Sequence, residues 1–273
     1  MNYKKIFATI FFILFFFLFP QQTHAETIQN FDTDITINKE GTITVSEKII
    51  YNFGNENKHG IFRNIPTVKT NQEGKKFRLE FNEISVTDEL RKPYQYTKTS
   101  RNDELQLKIG DPDKTITGVH TYIITYQVIG ALTYFSDHDE LYWNSTGNDW
   151  NVPIELVNTT IQLPTKLLEN AVRVICYTGY SGSTYSNCST SYSNGAAIIT
   201  TNERLNASEG LTVVVGFPKD LVAVVEPKEV IPFFETFIGK IVFFFILIFG
   251  VLISLFWYIY YPIRIVYKWY VSG

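Results

Sequence analysis

The stretch DHDELYWNSTGNDW, residues 137–150, gathers the side chains of this chain best suited to chemistry. Asp137, His138, Asp139 and Glu140 put three carboxylates and an imidazole in four consecutive positions, a set usable for general acid–base or metal chemistry. The spacing fits known ligand patterns poorly. A calcium loop of the D-x-[DN]-x-[DN]-G type would need a ligand where Leu141 stands, and its glycine is misplaced. A zinc protease would need a second histidine to complete H-E-x-x-H, and His138 has none at that distance. Paired-carboxylate chemistry needs two acids facing one cleft. Asp139 and Glu140 are adjacent, so a strand would point them to opposite faces.

A structural reading of the stretch is better supported. ELYWN has the pattern of a strand, with Leu141 and Trp143 on one face and Tyr142 and Asn144 on the other. NSTGNDW supplies a turn in which Gly147 can take positive φ, and Trp150 can return onto the sheet. In the segment HGIFRNIP, Arg63 stands among Ile61, Phe62 and Ile65. An arginine drawn into apolar surroundings needs a carboxylate partner, and Asp139 or Glu140 is the expected one. The rival reading makes Arg63 a ligand anchor beside exposed aromatic rings.

The elements around these residues are short strands. In IQNFDTDITINKEGTITVSEKIIYNFG, Ile35 and Ile37 alternate with polar residues, NKEG turns the chain, and Ile43 and Val45 resume the alternation. Similar runs rich in Val, Ile, Thr and Tyr recur to residue 217, separated by Gly, Pro, Asn and Asp. TKLLENAVR alone hints at a helix. The expectation is an all-β domain, an extracytoplasmic β-sandwich over residues 26–225. A break near Pro153 or Pro164 would divide it into two sub-sandwiches.

The ends address the chain to a membrane. Lys4 and Lys5 precede an apolar run and the sequence Thr23-His24-Ala25, which reads as a signal peptide over 1–25, the alternative being an uncleaved anchor. Residues 226–238, with two prolines, read as a juxtamembrane stalk. No charge occurs from Ile241 to Tyr261, enough residues to cross a core of about 30 Å, so 239–261 is expected to span the bilayer. Trp257, Tyr258, Tyr260 and Tyr261 close the span, and Arg264 and Lys268 follow in the tail 262–273. That order places the tail in the cytoplasm of a single-pass plasma-membrane protein and the β domain outside.

The exterior part carries a net charge of about −7, which does not suit nucleic acid. Only two cysteines occur, Cys176 and Cys188, flanking a Gly/Ser/Asn-rich loop. In an exported domain they read as one disulfide, the alternative being two free thiols. No pattern calls for a cofactor. The loop YTGYSGSTYSNCSTSYSNG offers Tyr177, Tyr180, Tyr185 and Tyr192 as a recognition surface, since Tyr and Ser make adaptable contacts. A plain solvated connection would look the same.

Taken together, GTITVSEKIIYNF, GIFRNIP, GVHTYIITYQVIG, DELYWNSTGNDWNVPI, IQLP and the CYTGYSGS…C loop resemble the DUF2207 family of predicted membrane proteins. The resemblance implies an extracytoplasmic β-sandwich anchored in the plasma membrane, and it transfers no catalytic residues. Longer members continue beyond the point marked here by WYVSG, so a short variant or a truncated product is expected. Three functions follow as expectations. The first is a non-enzymatic recognition or scaffold module whose partners are the lipid bilayer and a cell-envelope protein or glycan. The others are a cell-envelope-processing enzyme using residues 137–140 and a subunit of a larger membrane complex.

Overall fold

The computed structural model describes residues 25–71, 73–101 and 103–273; the signal-peptide reading falls on residues 1–24, outside them. The hairpin at the start forms as its alternation requires. Strands β1 (Thr27–Ile37) and β2 (Thr42–Asn52) pair antiparallel, with Ile35 opposite Val45 and Ile37 opposite Ile43. The chain continues through β3 (Gly60–Pro66), β4 (Val68–Thr70), β5 (Lys76–Arg78), β6 (Glu80–Thr87), β7 (Tyr96–Arg101) and β8 (Glu104–Gly110). Then come β9 (Val119–Ile129), β10 (Leu132–Tyr134), β11 (Asp139–Asn144), β12 (Val157–Gln162) and β13 (Arg173–Gly179). The last strands are β14 (Cys188–Ser193), β15 (Ala196–Thr201), β16 (Gly210–Phe217) and β17 (Lys228–Glu229).

The large unit comprises Arg78–Pro227 together with the described residues up to Lys69. It holds a seven-stranded sheet in the order β14-β15-β12-β1-β2-β9-β6, a four-stranded sheet β10-β11-β16-β13 and a three-stranded sheet β3-β8-β7. Alternate residues of all three turn inward and merge in one hydrophobic core. Phe31, Ile35, Val45, Ile49 and Ile124 come from the first, Leu141, Trp143, Val213 and Val215 from the second, and Ile61, Ile65 and Leu107 from the third. This is the expected β-sandwich. The breaks at Pro153 and Pro164 do not divide it. β12, which lies between them, pairs parallel with β1 and antiparallel with β15, so early and late strands share a sheet. TKLLENAVR yields a single 3-10 turn, Glu169–Ala171, too short to bury a helical face.

The second unit comprises Thr70–Phe77 and Lys228–Gly273. Its strand β17 pairs with β5, so the expected stalk contains a strand rather than only a tether. Thr236 then caps a helix, its Oγ1 accepting from Gly239 N at 3.0 Å. Helix α1 (Phe237–Leu255) passes through a π turn at Phe256–Tyr260 into α2 (Tyr261–Ser272). The cause of the wide turn is Pro262: it has no N–H to give Tyr258, and its ring crowds that carbonyl. The whole run of 36 residues is long and apolar enough to cross a membrane.

Lys69, in the large unit, is half-buried with no carboxylate among its hydrogen-bond partners. Its Nζ donates to Ala131 O at 3.3 Å, Leu132 O at 2.5 Å and Thr133 Oγ1 at 3.2 Å, fastening β4 to the start of β10. Burial lowers its pKa from 10.5 to about 8. Above about pH 8 the folded chain has released this proton while the unfolded chain still holds it. The unfolded state then binds more protons, and stability rises with pH. Near pH 10 the buried tyrosines Tyr51 and Tyr122, whose pKa burial raises, begin to oppose the rise. The urea midpoint of the chain is therefore expected to increase from pH 8 to 10, and Lys69→Met to flatten the increase; equal slopes for both proteins would refute the assignment.

Candidate functional site

Arg63 lies on the inward face of β3 and is 2% exposed. Its carboxylate partner is neither Asp139 nor Glu140 but Glu47 of β2. Nε donates to Oε2 and Nη2 to Oε1, both at 2.7 Å, a bidentate pair sealed from water on both sides. Tyr126 Oη donates to the same Oε1 at 2.6 Å. Two further guanidinium hydrogens reach Asn64 O at 2.7 Å, from Nη1, and Ser145 O at 3.3 Å, from Nη2. The reason for the correction is parity. Ile43, Val45, Glu47, Ile49 and Tyr51 form one inward stripe, and Glu47 is the acid within it. Burial works against the charge on Arg63, but the Glu47 carboxylate outweighs it and its pKa is raised. Burial and then Glu47 hold the Tyr126 phenol well above its ordinary value. The constellation cannot anchor a ligand, because protein fills every side of it. Gly147, at φ +76°, closes it: a Cβ there would stand 2.6 Å from Arg63 Nη1.

The acidic cluster divides as adjacent strand residues must. Asp139 turns inward at 1% exposure and pairs with Lys219 at 2.6 Å, while Lys219 also donates to Phe135 O at 2.9 Å and lies over the Tyr134 ring. Glu140 turns the other way, 3.8 Å from His138 Nε2. His138 stacks on Phe135 and meets Asp137 at 2.8 Å, and that hydrogen bond holds the Asp137 carboxyl below its usual range. The buried member of the set is thus consumed by Lys219. Among the described residues no group of three or more His, Cys, Asp or Glu side chains is placed to hold a metal.

The geometry suited to binding lies instead on the outer face of the four-stranded sheet. Here β16 runs between β11 and β13, with Asn144 opposite Thr212 and Thr212 opposite Tyr177. One row of outward side chains therefore crosses three strands. Tyr142 stands one outward position along, on the same face as Tyr177 and Thr212; burial raises its pKa, with Tyr177 and Glu140 adding. The loop after β13 rises beside this row and encloses a cleft of about 180 Å³ lined by Tyr142, Asn144, Asn148, Tyr177, Tyr180 and Thr212 among others.

That loop is held in shape at several points. Cys176 and Cys188 form the disulfide at its base. Ser183 Oγ donates to Thr178 O at 2.9 Å and accepts from Tyr185 N at 3.2 Å. Asn148 Nδ2 donates to Gly179 O at 3.0 Å, and Gly179 takes φ +113°, which a side chain would strain. Of the four tyrosines expected at a recognition surface, Tyr177 and Tyr180 line the cleft. Tyr185 is exposed but outside the lining. Tyr192 is not a surface residue: it faces inward from β14, 7% exposed, and its hydroxyl accepts from Leu167 N at 3.1 Å. Tyr142, Asn144, Asn148 and Thr212 line the cleft too, and no pattern in the sequence marks them as site residues. The outward position of Tyr142 was legible, but the strand that joins it to Tyr177 was not.

Removing one partner of the buried pair should be severe. Arg63→Ala is expected to lower the unfolding free energy by about 3–5 kcal/mol, because it strands the Glu47 carboxylate. Replacing all three polar groups together, as Glu47→Leu, Arg63→Met and Tyr126→Phe, should recover most of that loss. Urea unfolding in micelles measures both, and a triple variant no more stable than the single one would contradict the pairing.

Residues 27–217 match the family model described as "Predicted membrane protein (DUF2207) N-terminal domain". The uncharacterized protein YciQ of Escherichia coli K12 is 29% identical over 170 residues, covering 60% of this chain and 26% of YciQ. The chain thus spans about a quarter of that relative's length. Among solved structures, an M1 zinc metallopeptidase from Deinococcus radiodurans is 11% identical, with a TM-score of 0.36 over 71% of this chain and 42% of that one. Native yeast LTA4 hydrolase is 10% identical, with a TM-score of 0.42 over 70% and 29% respectively. Likenesses this slight carry no argument about activity. The inward stripes, the Arg63 segment, the DELYWNSTGNDW corner and the disulfide loop all lie within the matched range, and the chain belongs to the DUF2207 family of predicted membrane proteins.

Proposed function

We propose that the chain is a non-catalytic recognition module, a β-sandwich held on the outer side of the plasma membrane by helix α1 and binding through the Tyr142–Tyr177–Tyr180 cleft. The observation that carries the reading is the shape-holding of the loop over that cleft. A disulfide, two serine hydrogen bonds and the Asn148 amide hold in shape the stretch of backbone that carries Tyr177 and Tyr180 before any ligand arrives. Such preorganisation lowers the ordering cost of binding. Tyrosine suits it, giving a large rigid contact with few torsions to immobilise. The exterior location is supported by the disulfide, which persists in oxidising compartments. It is supported also by Arg264 and Lys268 beyond the aromatic end of the span, the pattern of a cytoplasmic flank.

Two measurements test this. In spheroplasts expressing the chain with a tag after Gly273, external protease should remove the β domain and leave the tag protected; the reverse pattern would overturn the orientation. A benzophenone side chain at position 180 should give a cross-linked product in living cells that one at position 62, exposed on the sheet β3-β8-β7, does not. Equal behaviour of the two positions would sink recognition through the cleft.

A further inference from the structure

We infer that the cleft takes one ring of an uncharged glycan. The inference rests on the recognition reading above and adds the chemistry of the ligand. None of the twelve residues lining the cleft is Asp, Glu, Lys, Arg or His. An ionic group entering it would lose hydration without gaining a countercharge. Anions are disfavoured further, because Glu140 is near enough to act on Tyr142 and the exterior part is acidic overall. A wholly apolar ligand is equally unsuited, since it would strand the amides and hydroxyls that form the lining.

A neutral sugar matches both requirements. The negative faces of Tyr142 and Tyr180, which are 56% and 62% exposed, attract the C–H face of a pyranose. Hydroxyls on the ring edge can reach the side-chain amides. Asn144 Oδ1 accepts from Gly147 N at 2.9 Å and Asn144 Nδ2 donates to Asn148 Oδ1 at 2.7 Å, so both side chains are already oriented. Each amide oxygen still has a second lone pair to offer. The volume of about 180 Å³ is below the roughly 300–1,000 Å³ of sites for drug-sized ligands, so the cleft holds a single ring of a longer chain. A peptide bound by strand addition does not fit. The strand beneath the cleft, β16, is hydrogen-bonded to β11 on one side and β13 on the other, and at the edge strand β13 the N–H of Thr178 already donates to Tyr185 O at 2.7 Å, so the loop itself occupies the edge beside the cleft.

The test uses the full chain in nanodiscs, so that no sugar-headed detergent competes, with saturation-transfer NMR as the readout. The probes are chitotetraose, cellotetraose and maltotetraose as neutral chains and polygalacturonate as a charged one. At least one neutral tetrasaccharide should bind, and polygalacturonate should bind more weakly. Tyr142→Ala and Tyr180→Ala should each weaken that binding about tenfold while Tyr185→Ala leaves it unchanged. Thermal unfolding should show all three variants folded, because each side chain is exposed. The inference is overturned if no neutral probe binds, if the tyrosine variants bind as well as the parent, or if polygalacturonate binds best. Should it be overturned while position-specific cross-linking at residue 180 persists, the ligand class falls and the recognition reading stands. Should both fail, the cleft is no binding site.

Discussion

One guanidinium holds three sheets in register with one another. Arg63 belongs to the sheet β3-β8-β7, its bidentate partner Glu47 lies in the seven-stranded sheet, and its Nη2 also reaches the carbonyl of Ser145, just past β11 of the four-stranded sheet. In a dry interior such a pair tolerates little displacement, because each lost hydrogen bond leaves a charge exposed to a low dielectric. Apolar side chains could fill the same space with less directional constraint. The pair therefore limits how the sheets can slide, and the cleft depends on that limit. Ser145 is followed by the turn that carries Gly147 and Asn148, and Asn148 in turn supports the loop of Tyr180.

Two faces of one sheet thus serve different ends. Inward from β11 and β16, Leu141, Trp143, Val213 and Val215 pack the core. Outward from the same strands, Tyr142, Asn144 and Thr212 form the floor of the cleft. The disulfide joins the third strand of this face to β14 of the other sheet, so the loop over the cleft has both ends anchored in ladders.

Much of the fold was legible residue by residue. The alternation of Ile35, Ile37, Ile43 and Val45 gave the first hairpin, and the alternation of ELYWN gave the faces of β11. The same alternation, followed two positions further to Glu47, marks the acid that Arg63 requires, whereas the clustering of Asp139 and Glu140 says nothing about which face each takes. Their adjacency was itself the signal that they would separate, and Asp139 found Lys219 instead. Tyr192 sits in sequence among loop tyrosines, but the strand beginning at Cys188 turns it inward. What no local pattern could supply was the placing of β16 between β11 and β13. That is a pairing between residues far apart in the chain, and the cleft exists only through it.

The place of β1 has a temporal meaning. It lies in the middle of the seven-stranded sheet, between β2 and β12, and its side-chain bond from Asn158 to Asp32 spans 126 residues of chain. The first hairpin can form early, but one flank of β1 stays open until β12 has been made. Loop closure over such distances is slow, and an unpaired flank is adhesive while it waits. The last core strand ends at Phe217 and the membrane helix begins at Phe237. During synthesis, the open flank of β1 is closed once β12 has been made, whereas the four-stranded sheet waits for β16 and can be completed only shortly before the anchor emerges. The nascent domain must be kept from pairing with its neighbours until that moment.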